Sequence, residues 1–120
     1  MKALRGAITA HSNSQEAITE ATHDLLTCLV ERNQLKVDEI VSVFFTLTPD
    51  LNACFPARAA REIGWDVPML DMQEIDVPGA LALCIRVLVH VDISRPPRHA
   101  YLRGASSLRP DLESKGARHE

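Results

Sequence analysis

Leu81-Ala82-Leu83-Cys84-Ile85-Arg86-Val87-Leu88-Val89-His90-Val91 is the most apolar stretch of the chain, and its reading decides the fold. A run this rich in β-branched residues, preceded by the break Val77-Pro78-Gly79 and followed by Pro96-Pro97, predicts a strand over Cys84–Val91. Strand alternation places Cys84, Arg86, Leu88 and His90 on one face and Ile85, Val87, Val89 and Val91 on the other. The valine face belongs to the core. Arg86 is then a permanent cation inside an apolar run that contains no acid. Burial without an anion is costly, so either a carboxylate arrives from another segment or the anion is a ligand.

Working outward from this strand, Ile40-Val41-Ser42-Val43-Phe44-Phe45-Thr46 reads as a second, largely buried strand, ended by Thr48-Pro49-Asp50. Pro68–Gln73 and Arg98–Arg103 are further strands, and Ala3–Ile8 is a short apolar one at the N-terminus. Between the first two strands in chain order, Ile18, Thr22, Leu25, Leu26, Leu29 and Val30 recur at helical spacing. They predict an amphipathic helix of roughly 18 residues ending near Asn33, with Ser12 and Gln15 as its capping box. A shorter helix starts at Pro56, runs to Ile63 and ends at Gly64. The order β-α-β-α-β-β-β predicts an α+β fold, a mixed sheet with one long and one short helix mostly on one face. Residues 1–112 form the expected single domain, and the small polar residues from Glu113 predict a frayed tail.

Composition limits what the anion could be. A 120-residue chain that is 46% hydrophobic is sized for one domain with a real core. A net charge of −3 argues against a general binder of nucleic acid or anionic membrane, so any affinity for anions must be local. Cys28, Cys54 and Cys84 form no C-x-x-C pair and suit neither a disulfide framework nor a structural zinc site. Five scattered histidines and the absence of nucleotide-binding and hydrolase signatures disfavour metal and nucleotide cofactors. Arg5 interrupts the apolar N-terminus where a signal peptide needs continuity, and no stretch is long enough to span a bilayer. A cytoplasmic protein is expected.

Arg5 lies mid-strand with Leu4 and Ile8 on the opposite face, so it can join Arg86 on one side of the sheet. Phe55, Arg58 and Arg61 are spaced three apart on the short helix, either as a solvated basic face or as part of a site. Acids follow a strand at Met72-Gln73-Glu74-Ile75-Asp76, where Glu74 could be a plain salt-bridge partner of Arg86. Asp71 and Glu74 have opposite strand parity and do not form an evident carboxylate dyad.

Taken in order, Arg5-Gly6-Ala7, Thr48-Pro49-Asp50-Leu51, Phe55-Pro56-Ala57-Arg58-Ala59-Ala60-Arg61, Met72-Gln73-Glu74, Cys84-Ile85-Arg86-Val87, Tyr101-Leu102 and Leu108-Arg109-Pro110-Asp111-Leu112 resemble the AroH-class monofunctional chorismate mutases. The resemblance implies a homotrimer of α/β chains forming a pseudo α/β-barrel, with sites in the clefts between subunits. It also implies the cofactor-free and metal-free rearrangement of chorismate, a dicarboxylate, to prephenate on the route to phenylalanine and tyrosine.

By position, the resemblance gives Arg5 a substrate carboxylate and Arg86 both a carboxylate and the ether oxygen of the breaking bond. Glu74 accepts from the ring hydroxyl and Tyr101 donates to a carboxylate. Phe55 and Ala57 shape the wall, Arg58 and Arg61 stand at the mouth, and Leu108 with Arg109 brings the C-terminal segment over the opening. Asp71 stands where the family often has cysteine beside the substrate hydroxyl, and its charge near Glu74 and a dianion must be offset or turned aside. A ligand-facing Arg86 is expected not to be consumed by a direct ion pair with Glu74 that fills the cleft. Two other classes fit a similar subunit: a non-catalytic trimeric module binding small carboxylates, and a hydrolytic imine deaminase. The ordered segments favour the mutase.

Overall fold

The computed structural model describes residues 1–108. Cys84–Val91, here β4, is the central strand of a five-stranded sheet. Antiparallel neighbours flank it: β1 (Lys2–Thr9), with Ala7 opposite Arg86 and Arg5 opposite Leu88, and β2 (Ile40–Leu47), with Thr46 opposite Arg86 and Phe44 opposite Leu88. The most apolar run thus occupies the position with most neighbours, where burial of its side chains contributes most. The outer strands are β3 (Met69–Gln73), parallel to β2, and β5 (Ala100–Leu102), parallel to β1. The order β3-β2-β4-β1-β5 makes the sheet mixed, as its element sequence predicted.

Residues paired across strands share a face. On one face Leu4, Ile8, Val43, Phe45, Ile85, Val87, Val89 and Val91 are buried in a single core with Ile18, Leu25, Leu26 and Leu29 of the long helix α1 (Gln15–Asn33). Ala57 and Ala60 of the short helix α2 (Pro56–Glu62), and Trp65 just beyond it, close the same core. Gly6 permits the close approach of α1: a Cβ there would lie 3.0 Å from Leu25 Cδ1 and Val87 Cγ1 and 3.2 Å from Leu29 Cδ1. The opposite face of the sheet carries neither α-helix.

Three local expectations need correction. The α1 cap is Ser14, whose extended backbone lets Oγ accept the Ala17 N–H at 3.1 Å, while Gln15 is the first helical residue. Ser12 lies outside the helix, its Oγ 3.3 Å from that of Ser14. Helix α2 stops at Glu62, one residue short of Ile63, before Gly64 turns left-handed at φ 94°. β5 is shorter than Arg98–Arg103 because the Arg98 N–H goes to Asn33 Oδ1 at 2.8 Å and Arg103 turns left-handed at φ 54°, entering a 3-10 turn over Arg103–Ser107. A second 3-10 turn, Val37–Glu39, leads into β2 and is held by the Lys36 N–H on Glu39 Oε1 at 2.9 Å. Among the described residues no helix is long and apolar enough to cross a membrane. Arg109 and the tail expected from Glu113 lie outside the described residues.

Candidate active site

The sheet's helix-free face gathers Arg5 and Ala7 from β1, Thr46 from β2, Arg86 and Leu88 from β4 and Tyr101 from β5, since Ala7 faces Arg86 on one side and Tyr101 on the other. Arg5 is exposed, and its backbone N–H is fixed on His99 Nδ1 at 2.9 Å. Tyr101 is 7% exposed, in a small cluster with Ala7, Cys84 and Ala105 that Leu81 and Leu108 flank. Leu108 therefore already lies beside the tyrosine.

Glu74 follows the last residue of β3, and its N–H, bonded to Leu47 O at 2.8 Å, continues the parallel ladder, so Glu74 keeps the parity of Met72 and faces the side of Thr46 and Arg86. Its Oε2 accepts the Thr46 hydroxyl at 2.6 Å and forms an ion pair with Arg86, 2.9 Å from Nε. A direct Arg86–Glu74 pair is therefore formed, and the carboxylate, only 16% exposed, gains the cation that its burial requires. The pair does not fill the cleft. The Arg86 side chain remains 44% exposed, and its two terminal nitrogens make no hydrogen bond among the described residues. Glu74 holds the inner edge of a planar fork while the outer edge stays available to an anion. Thr46, which shares this carboxylate, escaped the sequence reading. Its parity opposite to Val43 and Phe45 was the signal that could have found it.

A second group lies at the other side of the sheet. Phe55 is 68% exposed, Arg58 and Arg61 are exposed on α2, and Phe55, Arg58, Asp71, Met72 and Gln73 line a cleft of about 450 Å³. This cleft borders the edge strand β3, whereas Tyr101 belongs to the opposite edge, four strand spacings or about 19 Å away. The described chain does not bring Phe55, Arg58 and Arg61 together with Arg5 and Tyr101.

Ala57 is 4% exposed and packs in the helix-side core. Its N–H donates to Asp71 Oδ1 at 3.0 Å. Asp71 lies opposite Phe45, so its carboxylate faces α2 and is turned away from the Arg86–Glu74 pair. This answers the repulsion expected of an acid at that position. Phe55 at the N-cap offers no side-chain acceptor, so Asp71 caps α2 from β3. Burial pushes the Asp71 carboxyl above the ordinary aspartate range, against the opposing pull of the Ala57 N–H and of Arg61.

Burial also pushes the Cys84 thiol up to about 11, with Arg86 opposing and Glu74 and Asp50 adding to the shift. Its thiolate form is scarce at neutral pH, so the residue beside Tyr101 acts as packing and not as a nucleophile. No group of three or more His, Cys, Asp or Glu able to hold a metal occurs among the described residues.

This arrangement has known counterparts. The family model for chorismate mutase type I matches residues 1–112. The chain is 46% identical over 119 residues to the chorismate mutase AroH of Thermus thermophilus, covering 95% of this chain and 98% of that one. It is 43% identical over 117 residues to the chorismate mutase AroH of Bacillus subtilis, covering 93% and 92%. The solved structure of a chorismate mutase from Clostridium thermocellum superposes with a TM-score of 0.87 at 44% identity, covering 89% of this chain and 99% of that one. The chain belongs to the type I chorismate mutase family.

Proposed function

We propose that the protein is an isomerase that converts chorismate to prephenate by an intramolecular Claisen rearrangement, serving phenylalanine and tyrosine biosynthesis in the cytoplasm. The observation that carries the mechanism is the Arg86 fork, clamped through Nε by Glu74 at 2.9 Å with its outer edge open. A unimolecular pericyclic step needs no nucleophile or base. Catalysis must then come from holding the compact conformer and stabilising charge as the C–O bond breaks. The outer edge of Arg86 meets the ether oxygen and a carboxylate, and its pairing to Glu74 fixes that edge before substrate arrives. Glu74 keeps Oε1 without a hydrogen bond among the described residues, and this oxygen accepts from the ring hydroxyl. Arg5 and Tyr101 hold carboxylate oxygens on the same sheet face.

Phe55, Arg58 and Arg61 complete the site from a neighbouring copy in a homotrimer. The distance between the two halves within one chain supports this, as does the uncovered sheet face, where Leu70 is 57% and Met72 41% exposed. Chorismate consumption followed by absorbance tests the activity; binding without rearrangement would leave a non-catalytic carboxylate-binding module. Light scattering tests the assembly and should give three times the 13.3 kDa chain mass. Co-refolding Arg86→Ala with Arg61→Ala chains should restore part of the turnover that either homotrimer lacks. Failure to restore any would refute shared sites.

A further inference from the structure

Arg103 is bound more extensively than a surface arginine requires. Its Nη1 donates to Thr9 O at 3.1 Å, and its Nη2 reaches Asp24 Oδ2 at 2.7 Å and Glu20 Oε1 at 3.3 Å on α1. Its backbone is left-handed at φ 54°, a conformation a residue with a Cβ adopts only when its surroundings enforce it. The next residue repeats the tie, with the Gly104 N–H on Thr9 Oγ1 at 3.1 Å. The 3-10 turn that starts here buries Ala105 against Ala7, Cys84 and Tyr101 and delivers Leu108 to the same cluster. One guanidinium thus joins β1, α1 and the corner leaving β5, two residues from Tyr101.

We propose that Arg103 is a positioning residue for chorismate binding: a latch to Asp24, Glu20 and the Thr9 carbonyl that sets Tyr101 and the chain leading to Leu108 against the site. The proposal rests on the mutase reading. Arg103 touches no substrate, so its loss should weaken binding while leaving the charge stabilisation at Arg86 in place.

Two substitutions test it. Arg103→Asn removes the guanidinium but keeps the corner, because asparagine visits the left-handed region more readily than arginine. Asp24→Asn removes the acceptor on α1. The latch predicts that both variants raise KM for chorismate about fivefold, with kcat within about twofold, a size in keeping with partly exposed ion pairs. Arg103→Lys, which keeps a cation for Asp24, should recover part of the loss.

Asp24→Asn decides between causes, since deleting an acid near a dianion site lowers KM if only long-range charge matters and raises it if the latch matters. Amide hydrogen exchange across residues 100–108 gives a readout independent of turnover, and both variants should speed it. An unchanged or lowered KM in Asp24→Asn, or unchanged exchange in both variants, would overturn the proposal. A parent protein inert toward chorismate with faster exchange in the variants would instead refute the functional reading and keep the latch.

Discussion

Glu74→Gln separates two opposed meanings of the Arg86–Glu74 pair. At 2.9 Å the gross attraction of unit charges is about 6 kcal/mol for an effective dielectric constant near 20. Solvent at the 44% exposed arginine and the desolvation of the carboxylate reduce the net loss to about 1–2 kcal/mol of stability. Glutamine keeps the shape and one oxygen, which can take the place of Oε2 between Thr46 and Arg86 Nε, but without the charge that makes the contact to the guanidinium strong. The fork then loses its fixed orientation and the ring hydroxyl its charged acceptor. A fall in kcat/KM for chorismate of about 10- to 100-fold is expected, equivalent to about 1.4–2.7 kcal/mol in the transition state. If Glu74 merely neutralised Arg86, removing its charge would free the guanidinium and improve turnover of a dianion. Steady-state kinetics at fixed ionic strength, with melting measured alongside, distinguishes these. Unchanged or improved kcat/KM in a folded Glu74→Gln protein would refute the reasoning.

The geometry sets two further outcomes. Gly6→Ala drives a methyl to 3.0 Å from Leu25 Cδ1 and Val87 Cγ1 and should cost about 1–3 kcal/mol in chemical denaturation, with the sheet register retained; unaltered stability would contradict the close α1 packing. Asp71→Asn retains an oxygen for the Ala57 N–H while Asp71→Ala does not, so asparagine should keep activity and alanine should raise KM through a loosened α2. Because the folded Asp71 pKa is raised, its stabilising contribution is present below the unfolded value and is lost as pH rises through the folded value. Asp71→Asn should therefore not lower the melting temperature at pH 7, and a clear drop there would argue against a buried, costly carboxylate.

Much of the fold was legible because its signals are periodic. The valines of Cys84–Val91 fixed both the central strand and the face on which Arg86 stands, and the leucines of α1 named the helix that covers the other face. Parity carries one residue past β3: Glu74 shares the parity of Met72, which pairs with Thr46 opposite Arg86, and its N–H on Leu47 O extends the ladder, but which cation it meets is set by pairing between strands far apart in the chain. Asp71 lies within β3 and obeys parity, and its pairing with Phe45 is what turns it to α2. The left-handed turn at Arg103 is carried by contacts to residues about 80 and 94 positions away, invisible to a window of neighbours. The Ser14 cap was missed for a simpler reason, since Ser12 offered the same chemistry two residues earlier.

The central claim is that a glutamate-clamped arginine catalyses the rearrangement with its open edge. Its most direct test is kcat/KM for chorismate in Arg86→Ala, in a protein whose circular dichroism and assembly mass match the parent. Loss of a preorganised donor at the breaking bond should lower kcat/KM by about 10²- to 10³-fold, mostly in kcat. Turnover near the parent rate would contradict the account.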